Sequence, residues 1–346
     1  MVFELAATAG KIGIWVVILL SVTPVMVWIE RRGCALIQDR KGPNRVGPLG
    51  LFQPLADAVK LLFKEDIIPS EVDRPLYLLA PILAIVPALT TFTVIPFGPT
   101  IIIGGQTVHL LVADVDTGAL LLLALSSLGV YSLVMAGYSS NNKYALIGSV
   151  RATAQMISYE LALTLSVVAV LIPTGSLRLD DVVTYQQGLW LGVIPQWNIF
   201  PHALGFLVFL IAAFAETNRL PFDLSEAESE LVAGYHTEYS AMKFSLFFMG
   251  EYMSMATLGA LGATLFLGGW HLPGVDFTGW WVTSALLGMG ILIAKTSLFL
   301  LFFVWVRWTF PRFRFDQLLR LGWKVLLPLA IVNLILISAL TVAGWL

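Results

Sequence analysis

The apolar run FLVFLIAAFA at residues 206–215 passes without a break into ETNRLPFDLSEAESELVAGYHTE at residues 216–238. How that junction is read decides the fold. Six acids, Glu216, Asp223, Glu226, Glu228, Glu230 and Glu238, stand there against the single Arg219, a net of −5. The plain reading is a solvated acidic connector. Two features argue against it. Glu216 follows the apolar run directly, and Glu226, Glu228 and Glu230 alternate with small or polar residues instead of sitting in a Ser/Gly linker. On a helix Glu226 and Glu230 would share a face and repel one another. Clustered carboxylates able to exchange protons are what a proton pathway requires.

Working outward, 58% of the 346 residues are hydrophobic and only 12% are charged; the mean hydropathy is +0.85. Soluble domains carry about 25% charged residues, so the composition specifies an all-α polytopic membrane protein, read as one integral membrane domain over residues 1–346. The net charge of −2 comes with no basic, aromatic-interleaved patch for nucleic acid. Cys34 is the only cysteine, which excludes an internal disulfide and any Cys-ligated cluster held by this chain alone. His109, His202, His236 and His271 are scattered, without HExxH or metal-ligand spacing. Dinucleotide-binding, P-loop and nucleophile-elbow patterns are missing as well. The chain therefore offers no metal site and no redox centre of its own, and any redox chemistry must come from partners.

A membrane helix needs about 20 apolar residues, and eight stretches qualify: 12–29, 76–97, 117–137, 152–172, 201–216, 239–267, 280–306 and 325–345. The fifth is short as drawn and could begin nearer Gly188. The first is not read as a cleaved leader, because Glu4 and Lys11 precede it and Arg31 and Arg32 follow with no small-residue cleavage site. Loops after the odd spans hold sixteen Lys and Arg, those after the even spans only Arg178. This asymmetry puts the odd loops, including acidic loop 216–238, in the cytoplasm and both termini on the other side.

Loop one contains LFQPLADAVKLLFK at residues 51–64, with Leu51, Phe52, Leu55, Val59, Leu62 and Phe63 on one helical stripe. Too short to span, it is expected at the membrane surface or beneath a soluble partner. Glu160, Lys243, Glu251 and Lys295 fall within spans. One charge at a helix centre costs roughly 2.5–3.5 kcal/mol on insertion scales, so such residues mark pathways or internal pairs. Lys243, near a helix end, is expected to snorkel to the surface. For Lys295 the structural alternative is an ion pair with one of the glutamates.

Three motifs make the chain resemble a known family. They are Glu30-Arg31-Arg32 with QDRKGPNRVGP at residues 38–48 and QPLADA at 53–58; AETNRLPFDL at 215–224 continuing through Glu226, Glu228 and Glu230; and PRFRFDQL at 311–318. Together they are similar to the H subunit of respiratory complex I, the mitochondrial NADH dehydrogenase subunit 1 family, over essentially the whole chain.

The resemblance implies a core membrane subunit of proton-pumping NADH:quinone oxidoreductase, a translocase, carrying no catalytic redox group itself. NADH, FMN and iron–sulfur clusters would reside on partner subunits, with ubiquinone or another quinone as substrate. Hydrophilic quinone-module subunits would sit over loops one, three and five, and small membrane and antiporter-like subunits alongside. Both termini would then be periplasmic in a bacterial inner membrane, the mitochondrial inner membrane being the alternative. Loop one and the first span would frame a quinone portal and tunnel, with Arg31, Arg40 and Asp57 at its polar end or, alternatively, fastening loop one to neighbouring subunits. Glu160, Glu216, Asp223, Glu226, Glu228, Glu230, Glu251 and Lys295 would form a proton relay, with Arg219 as a structural charge partner limiting repulsion in the acidic loop. Three rival readings remain: the equivalent subunit of a hydrogenase-type complex; a stand-alone ion transporter, against which the lack of an internal repeat counts; and a purely structural anchor, against which the cost of intramembrane charges counts.

Overall fold

The computed structural model describes residues 2–103, 106–190, 192, 194–225, 228–275, 277 and 280–345. The first helices are α1 (Val2–Ile37), α2 (Gln53–Phe63), α3 (Arg74–Thr91), α4 (Gly118–Ser139) and α5 (Lys143–Thr174). Then follow α6 (Leu179–Tyr185), α7 (Ala203–Glu216), α8 (Glu228–Leu231), α9 (Ala241–Phe266), α10 (Trp281–Thr309), α11 (Phe315–Arg320) and α12 (Leu327–Val342). A π-helical turn, Leu321–Leu326, joins α11 to α12. Two short antiparallel ribbons, β1 (Ile101–Ile103) with β2 (Gln106–Val108) and β3 (Leu189–Trp190) with β4 (Ile194–Pro195), lie between helices.

Each of the eight expected spans coincides with a helix. Among the described residues six stretches are long and apolar enough to cross a membrane: Thr8–Ile37, Arg74–Val94, Gly118–Ser139, Lys143–Thr174, Trp281–Thr309 and Phe315–Val342. The fifth expected span does not start near Gly188, because the chain there pairs Leu189 with Pro195 in a ribbon. Its helix, α7, keeps only 14 residues, about 21 Å against a hydrocarbon core of ~30 Å. The surface helix α2 begins at Gln53, two residues later than its apolar stripe, with Pro54 in its first turn where no intrahelical donor is needed. The stripe is exposed along Leu51, Phe52, Leu55, Val59, Leu62 and Phe63, as an apolar face at a membrane surface would be.

The core forms around α5 and α9. Helix α5 starts where the Asn142 side chain accepts the Tyr144 N–H at 2.9 Å and stops at Gly175, whose left-handed φ of 63° lets its own N–H close on the carbonyl of Leu171. Close helix contact depends on small residues. A Cβ on Gly250 of α9 would stand 2.9 Å from the Ala84 carbonyl of α3, and one on Gly148 of α5 would stand 2.9 Å from Gly234. Exposed Trp281 and Trp305 lie near opposite ends of α10, about 36 Å apart along the helix, the spacing of the two interfacial belts of a bilayer.

Tertiary bonds sort the loops by end. Asp66 pairs with Lys243 at 2.8 Å, Asn142 donates to Glu238 at 2.8 Å, and the Phe313 N–H donates to the Pro221 carbonyl at 3.2 Å. The loops after α1–α2, α4, α7 and α10 therefore meet at one end. At the other, Lys11 donates to the His109 carbonyl at 3.2 Å, and Arg178 pairs with Asp114 at 2.5 Å. Lys243, in the first turn of α9, is held by the loop residue Asp66 and lies 5.1 Å over the Tyr77 ring.

Candidate functional site

At the end that gathers the acidic loop, α1, α2 and α9 enclose a cavity of about 760 Å³. Its wall changes character along α1. Leu20, Pro24 and Val27 come first, then Glu30, Arg31 and Cys34, so an apolar approach leads to a charged head. All three sequence-derived quinone candidates line it: Arg31 and Asp57 form an ion pair at 2.6 Å, and the Arg40 Nε donates to Gln38 Oε1 at 2.7 Å. One guanidinium N–H of Arg40 also approaches the buried Cys34 Sγ at 3.4 Å.

The charged head continues into the protein. Glu30 is buried and accepts from both the Tyr252 hydroxyl and the Arg307 guanidinium. Arg219, buried as well, lies 3.6 Å from Glu30 and 3.5 Å from Glu251, with its guanidinium 4.4 Å over the Tyr252 ring. Glu251 accepts from the Tyr235 hydroxyl at 3.2 Å, and Asp223 pairs with Arg312 at 2.8 Å. Buried ions persist only when paired and hydrogen-bonded. Here Glu30, Glu251 and Asp223 are offset by Arg219, Arg307 and Arg312, drawn from α1, α9, α10 and two loops.

Glu251 also lines a second, smaller cavity of about 80 Å³, shared with Glu216, Thr217, Asn218, Ser126, Ser132 and Ser254. These polar groups stand among Ala84, Leu122, Leu133, Phe247 and Leu258 in a mixed lining, and the cavity has room for several waters. Glu216 ends α7 in a buried position, with Glu160 of α5 as its charged neighbour. Glu160 in turn accepts from the Ser127 hydroxyl of α4. Carboxylates on α5, α7 and α9 thus follow one another away from the large cavity.

The acidic loop is not a solvated connector, since residues 217–219 and 221–225 are all buried. A buried loop must have its backbone groups satisfied, and α5 supplies part of this. Gln155 Nε2 donates to the Ala215 carbonyl at 2.9 Å and the Phe222 carbonyl at 2.7 Å. Arg219, expected to quiet repulsion within the loop, reaches beyond it to α1 and α9. Glu230 is exposed and paired with Arg151 of α5 at 2.6 Å. Glu226 and the side chain of Glu228 lie outside the described residues, and so does the shared face of Glu226 and Glu230.

Lys295 does not join this line. Its ammonium donates to the carbonyls of Leu267 at 2.6 Å, Gly269 at 2.8 Å and His271 at 2.6 Å. Those carbonyls end α9 and begin the following loop, and a cation there is favoured by the helix dipole. Among the described residues it pairs with no carboxylate, so the expected ion pair with a glutamate is not formed. Three carbonyls matched to its three N–H donors make it a structural cap.

The sequence matches the family model for NADH dehydrogenase over residues 10–338. It is 49% identical over 342 residues to the NADH-quinone oxidoreductase H subunit 1 of Geobacter metallireducens, covering 99% of this chain and 97% of that one. With the NADH-quinone oxidoreductase H subunit of Thermomicrobium roseum it shares 52% identity over 320 residues, 92% and 91% of the two chains. The chain belongs to the NADH dehydrogenase family. The H subunit 2 of the same enzyme from Geobacter sulfurreducens is a further relative, 48% identical over 342 residues, 99% and 97% of the two chains.

For this family member, sequence reasoning did not assign Glu30, Tyr252, Arg307 or Arg312 to the site. Glu30 carried a usable signal, an acid immediately after an apolar run, as Glu216 is. Arg307 was legible only as a loop charge and Arg312 only as part of the motif at 311–318, and nothing local marks Tyr252, one aromatic among many.

Proposed function

We propose that this chain is a core membrane subunit of a proton-translocating NADH:quinone oxidoreductase, a single membrane domain of eight spans with both termini periplasmic. The large cavity receives the quinone from the bilayer, its isoprenoid tail along Leu20, Pro24 and Val27 and its head toward Arg31, Arg40 and Asp57. NADH oxidation and the electron-carrying centres belong to partner subunits seated over the loops at the acidic-loop end, and the assembly resides in a bacterial inner membrane. A line of carboxylates, Glu251, Glu216 and Glu160 with Asp223 beside them, passes the consequence of quinone reduction onward as proton movement.

The observation that carries this reading is that Arg219 bridges the two cavities. It lines the large one and lies 3.5 Å from Glu251, which lines the smaller one with Glu216. A charge change at the quinone head is therefore felt one ion pair away by a carboxylate that opens on water-sized space. Arginine stays protonated, so Arg219 transmits field and the carboxylates transmit protons.

The experiment is Glu216→Gln in the native assembly, assayed in membrane vesicles for NADH-to-short-chain-quinone electron transfer and for proton uptake. We expect normal assembly with proton translocation reduced at least tenfold. Wild-type pumping in a normally assembled Glu216→Gln enzyme rejects the relay. For the portal, Ala58→Trp, which fills the cavity wall, should raise KM for long-tailed quinone more than for a short-chain analogue. Oxidation of hydrogen in place of NADH by the purified assembly would instead support the hydrogenase-type reading.

A further inference from the structure

Helix α1 has a hollow on each side. Opposite the large cavity, a groove of about 340 Å³ runs between α1 and α10, lined by Val17, Val25 and Ile29 on one wall and Ile293, Leu300 and Leu301 on the other. Ser21 and Ser297 also face it, but their hydroxyls are already committed, donating to the Val17 carbonyl at 2.6 Å and the Ile293 carbonyl at 2.7 Å of their own helices. The groove therefore asks nothing polar of an occupant along its length. From Val17 to Ile29 it covers about 18 Å of helix, close to the ~15 Å of one leaflet of hydrocarbon.

One end of the groove is different. Arg32 follows Ile29 by three residues and so lies about 4.5 Å further along the same flank of α1. Its guanidinium lies 5.5 Å over Trp28, and both side chains donate to the Leu49 carbonyl of loop one, Arg32 at 2.9 Å and Trp28 at 3.1 Å. A Trp–Arg pair of this kind marks headgroup level. Among the described residues that carbonyl is the only hydrogen-bond partner of Arg32, which leaves most of its five donors available to an anion. Arg32 does not line the large cavity, and among the described residues it is not paired with a carboxylate as its neighbour Arg31 is with Asp57.

We propose that the α1–α10 groove is a binding site for an anionic phospholipid, with one acyl chain in the groove and the headgroup phosphate on Arg32. The apolar wall sets the length and the cation sets the sign of the ligand. The site has a consequence for the neighbouring chemistry, because α1 and α10 are the helices that carry Glu30 and Arg307. A lipid seated between them holds the spacing at which that ion pair forms. The proposal uses only the embedding of these helices in a bilayer and stands apart from the quinone reading.

The test is photolabelling of the native assembly, purified in mild detergent and reconstituted in phosphatidylcholine vesicles. The vesicles carry a small fraction of either phosphatidylglycerol or phosphatidylcholine with a diazirine in the acyl chain. Labelled peptides covering residues 17–29 and 293–301 should be at least five-fold more abundant with the phosphatidylglycerol probe. Arg32→Gln should reduce that labelling to the phosphatidylcholine level. Equal labelling by the two probes would overturn the proposal, leaving ordinary annular lipid without headgroup choice. Should Arg32→Gln fail to assemble, Ser297→Trp fills the groove and should abolish the phosphatidylglycerol label on 17–29 with subunit composition unchanged. Loss of a membrane subunit from the Ser297→Trp assembly would show that a partner helix occupies the groove, and would also overturn the proposal.

Discussion

Two buried cations, one at each end of the molecule, are kept charged in different ways. Arg219 is surrounded by carboxylates, Glu30 and Glu251, and by the face of Tyr252. Lys295 is surrounded by neutral carbonyls at the end of α9. Both arrangements answer the same penalty for burying charge. They differ in what they permit. Carbonyl oxygens have no proton to give or take near neutral pH, so the Lys295 end is a fastening. Carboxylates are proton-exchanging groups, and under the proposed relay the Arg219 end couples a charge to proton movement.

The comparison is broken or sharpened by substitution. The largest effect is expected for Arg219→Gln, which strands Glu251 without a cation and leaves Glu30 to Arg307 alone; it should cost about 3–5 kcal/mol, read as loss of the assembled subunit from membranes. Adding Glu251→Gln removes one stranded charge and should restore part of the assembly. Lys295→Met leaves three buried carbonyls without their donor, about 3 kcal/mol of destabilisation, seen as a lower thermal midpoint of the purified assembly. Here no carboxylate substitution should rescue, and whatever assembles should pump normally. A Lys295→Met enzyme of normal stability that has lost pumping would erase the distinction.

A smaller effect concerns pH. His236, buried beside Phe244 and Phe248 in the acidic-loop end, has its pKa pushed down to about 4 by burial, from an ordinary 6.5. The unfolded chain then binds a proton that the folded one refuses, so stability falls as pH drops from about 6.5 toward 4. His236→Phe should flatten that part of the pH–stability profile. The smallest stability effect belongs to Arg31→Ala. Its pair with Asp57 is largely open to solvent, with side-chain exposures of 47% and 25%, and contributes under about 1 kcal/mol. The same variant should raise KM for quinone several-fold, which separates a wall residue of the cavity from a structural one.

Where the sequence was legible, it was through local signals. Apolar runs marked the position of every long helix, and the alternation in residues 51–64 marked α2 to within two residues. At the fifth span, drawn at 201–216, it left open an earlier start near Gly188, because the apolar tally there cannot distinguish a ribbon from a helix. Among site residues, Arg31, Arg40 and Asp57 do converge on one cavity, and Glu216 and Glu251 on another. For Lys295 the alternative of an ion pair with a glutamate gave the wrong partner, because an intramembrane cation announces a partner without saying which. Its three carbonyls lie 24 to 28 residues away in the chain and leave no trace in composition.

By itself, then, the sequence determined that this is a helical membrane protein, where its helices run, which loops share an end, and that acids are concentrated after the fifth apolar run. Those properties follow from hydropathy, periodicity and charge, which act locally along the chain. Only the tertiary structure decided that the acidic loop is buried, that Glu30 of α1 meets Arg307 of α10 and Tyr252 of α9, and that Arg219 stands between two cavities. Ion pairing in a low-dielectric interior is set by distances of a few ångströms between residues up to 277 positions apart, and those distances exist only once the helices have packed.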